Sequence, residues 1–212
     1  MALRVLGRKS SSNVQGVLSG LEELGLDYER VDYGGRYGGL NDIDFREKNP
    51  NGLVPVLEDG DLVLFESAAI LRYLVKTYSD GPLRSDDPAA DTWAEWGKHT
   101  FGRAFTAPIF WLAYRTPENQ RDHAAISKNV QAFEEIAQIA MNKKSSARFL
   151  MGSEITLADI WAGHVLYRYF DLDIDRNPPD GLREYYDRLA ERSAYQKTIM
   201  VDYSELKDTL VG

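Results

Sequence analysis

The chain has 212 residues, 43% of them apolar and 27% charged, with a formal net charge of −8 near neutral pH and no cysteine. That length exceeds one typical domain and falls short of two large ones, so two compact lobes are expected. The acidic balance argues against nonspecific binding to nucleic acid or anionic membranes. Without cysteine there is no disulfide framework, thiolate metal site or cysteine nucleophile, so any thiol chemistry must use a thiol that the ligand brings.

The three histidines, His99, His123 and His164, lie far apart and show no metal-ligand spacing, so no metal is expected. No apolar run approaches the ~20 residues of a membrane helix. The opening "MALRVLGRKSSSN" has too short an apolar stretch for a secretory signal, which points to a cytoplasmic protein.

In chain order, Ala2 to Leu6 is a short apolar strand. Ser12-Asn13-Val14-Gln15 has the form of a capping box and opens a helix, with Val14, Val17, Leu18, Leu21 and Leu24 at helical spacing and Gly25 as the stop. Tyr28 to Asp32 reads as a second strand, "GGRYGG" at 34–39 as loop, and 40–48 as an irregular or short helical segment. Val54 to Leu57 and Leu62 to Phe65 flank Asp59-Gly60, a hairpin signal. Ser67 can then cap a helix carrying Ile70, Leu71, Leu74, Val75 and Tyr78 on one stripe. A helix between the first two strands favours a parallel pair, and the hairpin adds antiparallel strands.

Beyond residue 79 the strand signals end. Asp87-Pro88 is a good N-cap and N1 pair for a long aromatic-rich helix towards Arg115, with a kink expected at Pro108. Ile126, Val130, Phe133, Ala137 and Ala140 mark a second long helix. Thr156 and Asp159 in "ITLADI" form a capping-box variant opening a third, and 181–192 and 194–200 read as shorter helices. The expected division is a mixed α/β domain over 1–79, a linker over 80–87 and an all-α domain over 88–212.

Pro55 sits inside an apolar run, where it cannot donate to a sheet ladder. It is either an ordinary trans turn or edge residue, or a cis proline that turns the chain before the hairpin. In the second case the N–H and C=O of Val54 face outward, where an extended peptide could pair with them like an added strand.

Four segments carry a family resemblance. "NPNGLVPVLEDGDLVLFESAAILRYL" closely resembles the glutathione-site segment of glutathione transferases. "SSNVQGVLSGLEELGLDYE" looks like their first helix, with a Ser-x-Asn-Val start at Ser11. "FLMGSEITLADIWAGHVL" resembles the capping segment of their helical domain, and "TWAEWGKHTFGRAFTAPIFWLAYRTPENQRD" is similar to a bacterial subgroup. The resemblance implies a thioredoxin-like N-terminal domain, an all-α C-terminal domain, and a homodimer with two active sites. It also implies a cis Pro55, with Leu53 and Val54 beside the cysteinyl backbone of glutathione. Glu66 and Ser67 then hold the γ-glutamyl end, where a helix N-terminus suits a carboxylate and Glu66 can accept from an ammonium.

The resemblance also makes Ser11 the thiol activator. Lowering a thiol pKa from near 8.5 by two units takes about 2.7 kcal/mol of preferential stabilisation. One hydrogen bond to a charged group supplies ~1.5–3 kcal/mol and a helix N-terminus ~0.3–1 kcal/mol. A single hydroxyl is therefore enough, with Asn13 as a second donor and Ser10 as a rival; Ser10 to Asn13 read alone are equally well a polar loop. Gly16 and Lys48 depart from the family pattern, where lysine is frequent at the first position and an apolar residue at the second.

Phe101, Phe105 and Trp111 are candidates for an apolar wall of a co-substrate pocket between the lobes, and Arg103 for a polar contact. Core packing is the competing account of those aromatics. The expected activity is glutathione transfer to a small, largely apolar electrophile. Reduction of a disulfide or peroxide, or ether cleavage, by the same thiolate is the alternative within enzymes. A non-catalytic glutathione-binding or partner-docking protein is the alternative outside them.

Overall fold

Three apolar residues around Arg4, too short a run for a helix, make the first strand. β1 (Leu3–Leu6) is followed by α1 (Ser12–Glu23) and β2 (Tyr28–Val31). β1 and β2 pair in parallel, Leu3 opposite Tyr28 and Leu6 opposite Val31. The structure, a computed structural model, describes residues 3–81, 83 and 87–210. Ala2 therefore lies outside the described residues.

α2 (Ile43–Lys48) leads to β3 (Val56–Asp59) and β4 (Leu62–Phe65), and α3 (Ser67–Tyr78) follows. The sheet order is β2-β1-β3-β4, with β3 antiparallel to both of its neighbours. Gly60 turns the hairpin at φ +60°, a left-handed conformation in which glycine carries no Cβ penalty. β3 begins at Val56, two residues later than the apolar pattern suggests, because Val54 and Pro55 stand ahead of the ladder.

The sheet and two helices share one core. Val5, Val14, Val17, Leu21, Leu57, Ile70 and Leu74 are all fully buried in it. α1 and α3 approach closely at Gly20, where an added Cβ would stand 2.0 Å from Leu71 Cδ1. Burying a side chain of this kind is worth roughly 1.5–3 kcal/mol, so this core fixes which face each helix turns to the sheet.

The chain forms two compact units, 1–81 with 193–201, and 82–192 with 202–212. The linker expected over 80–87 falls partly on residues 82 and 84–86, outside the described residues. The contiguous second domain expected over 88–212 differs from the observed units in one respect: 193–201 belongs with the first. There α10 (Ser193–Thr198) packs on α1, and Lys197 Nζ lies 2.9 Å from Glu22 Oε2.

The second unit is helical. Asp87 caps α4 (Pro88–Glu95), its carboxylate accepting from the Ala89 N–H at 2.9 Å. The helix runs on as π-helix (Trp96–Phe101), one α turn, α5 (Gly102–Phe105), and π-helix again (Thr106–Arg115). At Pro108, where a kink is expected, the chain stays helical in the wider π form. A proline has no N–H to give to the turn before it and its ring crowds the carbonyl four residues back, which a wider helix relieves.

α6 (His123–Lys144) buries Ile126, Val130, Phe133, Ala137 and Ala140, the expected stripe. α7 (Leu157–Gly163) opens on the Thr156–Asp159 capping box, and α8 (Leu166–Asp171) and α9 (Leu182–Ala190) follow. Among the described residues, no helix is long and apolar enough to cross a membrane.

Candidate active site

Two helix starts and one length of extended chain come together in the first unit. Ser11, not Ser12, is the N-cap of α1: its backbone is extended (φ −77°, ψ 121°) and its carbonyl accepts the Gln15 N–H at 2.8 Å. A tight turn, in which the Ser11 N–H donates to the Arg8 carbonyl at 3.1 Å, starts the helix one residue early. Ser12 becomes the first helical residue, and the capping box expected between Ser12 and Gln15 does not form, since Gln15 is buried.

The consequence is chemical. Ser11 makes no side-chain bond to its helix, and among the described residues its hydroxyl has no partner within the chain. Ser10, the rival, is 2% exposed and turned into the protein.

Val54 stands one residue before a cis Val54–Pro55 peptide bond. Among the described residues, neither its N–H nor its C=O is paired with another main-chain group. Its side chain packs beside β1 and α1, and a Cβ placed on Gly7 would lie 3.1 Å from Val54 Cβ and 2.5 Å from Val14 Cγ2. Gly7 therefore lets the side chains of Val54 and of Val14, in the first turn of α1, close over the end of β1. Leu53 is well exposed, and its carbonyl accepts from Asn49 Nδ2 at 2.7 Å.

Glu66 is the N-cap of α3 and Ser67 its first residue, a step later than the cap role expected for Ser67. Glu66 adopts φ +69°, ψ 106°, a conformation that costs a non-glycine residue about 1–3 kcal/mol and tends to persist where a ligand clamp needs it. Its side chain is exposed and does not cap the helix, leaving the positive end of α3 for another anion. Ser67 is buried, and its hydroxyl donates to Asn13 Oδ1 at 3.2 Å. That bond ties the first turn of α3 to the first turn of α1. Nothing in the linear spacing of residues 13 and 67 announced it.

The four candidates in the helical unit divide. Phe101 and Phe105 are each 1% exposed and packed on Phe133, with ring centroids 4.7 and 5.5 Å away. They belong to the core, which corrects their assignment to an open pocket wall; a helix face that carries aromatics at this spacing has to bury them somewhere. Arg103 is exposed, and Trp111 is 38% exposed beneath the Arg115 guanidinium at 5.1 Å.

Comparison with known proteins bears on the whole arrangement. Residues 1–76 match the family model "Glutathione S-transferase, N-terminal domain", and residues 103–193 match "Glutathione S-transferase, C-terminal domain". The chain is 36% identical over 204 residues to glutathione S-transferase GstB of Escherichia coli, covering 93% of this chain and 98% of that one. The chain belongs to the glutathione S-transferase family.

Glutathione S-transferase 3 of Zea mays is 32% identical over 210 residues, with 93% of each chain covered. The theta class glutathione S-transferase of Xanthomonas axonopodis pv. citri, solved with glutathione bound, superposes with a TM-score of 0.88. It shares 38% identity, covering 95% of this chain and 98% of that one.

Within this transferase the two departures from the family pattern have local accounts. Lys48 pairs with Glu58 Oε1 at 3.1 Å, fastening the end of α2 to β3. Gly16 is buried on α1. Among the described residues, no group of three or more histidine, aspartate or glutamate side chains is placed to hold a metal ion.

Proposed function

We propose that this glutathione transferase activates the thiol of glutathione through the Ser11 hydroxyl and directs the thiolate at a small, largely apolar electrophile. The observation that carries the reading is the uncommitted Ser11 hydroxyl at the start of α1, in the same unit as the unpaired backbone of Val54. The tripeptide lies extended along Val54, its cysteinyl N–H and C=O completing the main-chain pairs that the chain leaves open. Its γ-glutamyl carboxylate takes the start of α3 at Ser67, and its ammonium takes the Glu66 carboxylate.

Ser11 then donates to the sulfur and stabilises its anion, while the positive end of α1 adds to the effect. The proton leaves to solvent and no general base is needed. Asn13, held by Ser67, keeps the two helix starts in register so that anchoring of the γ-glutamyl end and activation of the thiol occur together. Trp111 and Arg103 are the solvent-facing candidates for contact with the acceptor. Leu62, Val63 and Phe65 on the edge strand β4 are 37–40% exposed, which supports a homodimer face, and the protein works in the cytoplasm.

The test is the ultraviolet absorbance of bound thiolate against pH, in the native protein and in Ser11→Ala. The native protein is expected to ionise glutathione one to two pH units below the free thiol near 8.5. Ser11→Ala is expected to bind glutathione, return its pKa to the free value and lose about 10–100-fold in kcat. Unchanged turnover in Ser11→Ala would reject Ser11 as the activator, and glutathione binding without ionisation near neutrality would reject catalysis altogether.

A further inference from the structure

A cleft of about 530 Å³ in the helical unit is lined by none of the residues assigned above. It is walled by Tyr114 at the end of the long helix, Tyr167 on α8 and Tyr203 in the C-terminal segment. Tyr114 and Tyr203 meet edge to face with centroids 4.9 Å apart, and Tyr167 and Tyr203 at 6.2 Å. Steep contacts of this kind set rings at angles to one another, as the walls of an aromatic cage require.

The same cleft carries Asp171, Asp173 and Asp202, with Glu118 on its rim. Asp171 accepts the Tyr203 hydroxyl. Burial, and then the charges of Asp202 and Asp171, hold the Tyr114 and Tyr167 phenols above their ordinary range. Burial and Asp171 do the same to Tyr203. The rings therefore stay neutral; of these causes the Asp171 and Asp202 charges favour a cation, with Arg168 acting against them.

Opposing charge is smaller. Arg121 on the lining is engaged by Asp208 at 3.3 Å and by the Thr116 carbonyl at 2.9 Å. Lys207 and His123 complete the charged and titratable lining. Arg168 lies against Phe110 and Tyr203, 4.5 and 5.2 Å from their centroids, buried behind the wall. Four carboxylates thus face Arg121, already paired with Asp208, and Lys207, with the Arg168 guanidinium as a third fixed cation behind the wall.

The size decides the kind of cation. A bare ion needs a tight set of ligands, and no such set exists among the described residues. A cleft of this volume fits an organic molecule, and aromatic walls select a weakly hydrated charge over a strongly hydrated one. We infer that this cleft is a binding site for an organic ammonium ion, an alkyl- or arylammonium whose charge lies against Tyr114, Tyr167 and Tyr203 and pairs with Asp171 and Asp202. The inference stands independently of the glutathione site.

The experiment is calorimetric titration of the whole protein, without glutathione, using benzyltrimethylammonium as the probe and benzyl alcohol and benzenesulfonate as neutral and anionic controls. The ammonium is expected to bind, and both controls to bind at least about tenfold more weakly. Asp202→Asn and Tyr167→Leu are each expected to weaken it about fivefold, and Tyr167→Phe, which keeps the ring, to leave it within about twofold. Thermal melting confirms that each variant is folded, and Asp173→Asn provides a second charge variant if Asp202→Asn, which loses a cap on Ser204, does not fold. Absence of binding at millimolar probe, equal binding of benzyl alcohol, or indifference to both Tyr167→Leu and the charge variant would overturn the assignment.

Discussion

Replacing Asp159 by asparagine tests the account of the helical unit most sharply. The carboxylate is fully buried and receives four hydrogen bonds: the Leu150 N–H at 2.8 Å and Tyr185 hydroxyl at 2.9 Å on Oδ1, and the Thr156 N–H at 2.8 Å and hydroxyl at 2.9 Å on Oδ2. Burial pushes its pKa up, and the four donors oppose that rise. A protonated carboxyl would turn an O–H towards groups that are all donating, so the geometry demands the ionised form.

Asparagine keeps Oδ1 for Leu150 and Tyr185 but sets an NH₂ against the Thr156 N–H. The loss is one charge-assisted bond and an unmatched donor, about 2–3 kcal/mol. Alanine also strands the buried Leu150 N–H and Tyr185 hydroxyl at roughly 1–3 kcal/mol each, so Asp159→Ala should cost about 4–5 kcal/mol. At about 2–4 °C per kcal/mol for a chain of this size, Asp159→Asn should melt roughly 5–10 °C lower.

Urea unfolding followed by tryptophan fluorescence is the assay, because Trp93, Trp96, Trp111 and Trp161 all fall in the second unit. If Asp159→Asn stays within ~0.5 kcal/mol of the native chain, the side chain is protonated in the folded state and the reasoning fails.

Two further predictions concern the same unit. Gly97→Ala sets a Cβ 3.0 Å from the Ala162 nitrogen and 3.1 Å from the Ala158 carbonyl oxygen, main-chain atoms that cannot rotate away. It should lose about 1–3 kcal/mol, and an unchanged melting temperature would refute the tight contact. His164 is buried, its pKa pushed down to about 3 by burial, with Lys98 and Arg168 adding to the effect against the pull of the Trp161 carbonyl. Its folded value lies below the unfolded value near 6.5, so stability is complete above pH 6.5 and falls as acid protonates the unfolded chain. At pH 5 the loss should be about 2 kcal/mol, a slope that His164→Asn should flatten; identical pH profiles for the two proteins would count against a neutral buried imidazole.

Much of this molecule was readable from local pattern. Alternation and helical spacing gave the β-α-β and β-β-α order, because those patterns record which side of each element meets the core. Asp87 and the Thr156–Asp159 pair were visible as caps because each works across two or three residues. The start of α1 was read one residue late, since three consecutive serines give no local reason to prefer one as cap; the turn closed by Arg8 makes the choice. Phe101 and Phe105 were indistinguishable from pocket residues until Phe133, about thirty positions away, was seen against them. The link between Asn13 and Ser67 depends on how two helices dock, which spacing along the chain does not encode.

The helix at 193–198, docked on α1, has one more implication. The half of the molecule that is translated first receives a component from a segment made only after residues 82–192, so severing the chain in the eighties yields an N-terminal fragment with an uncovered flank. The two halves are thus bound by wiring as well as by sequence adjacency, and transplanting the first onto another helical partner would require carrying that short returning piece along.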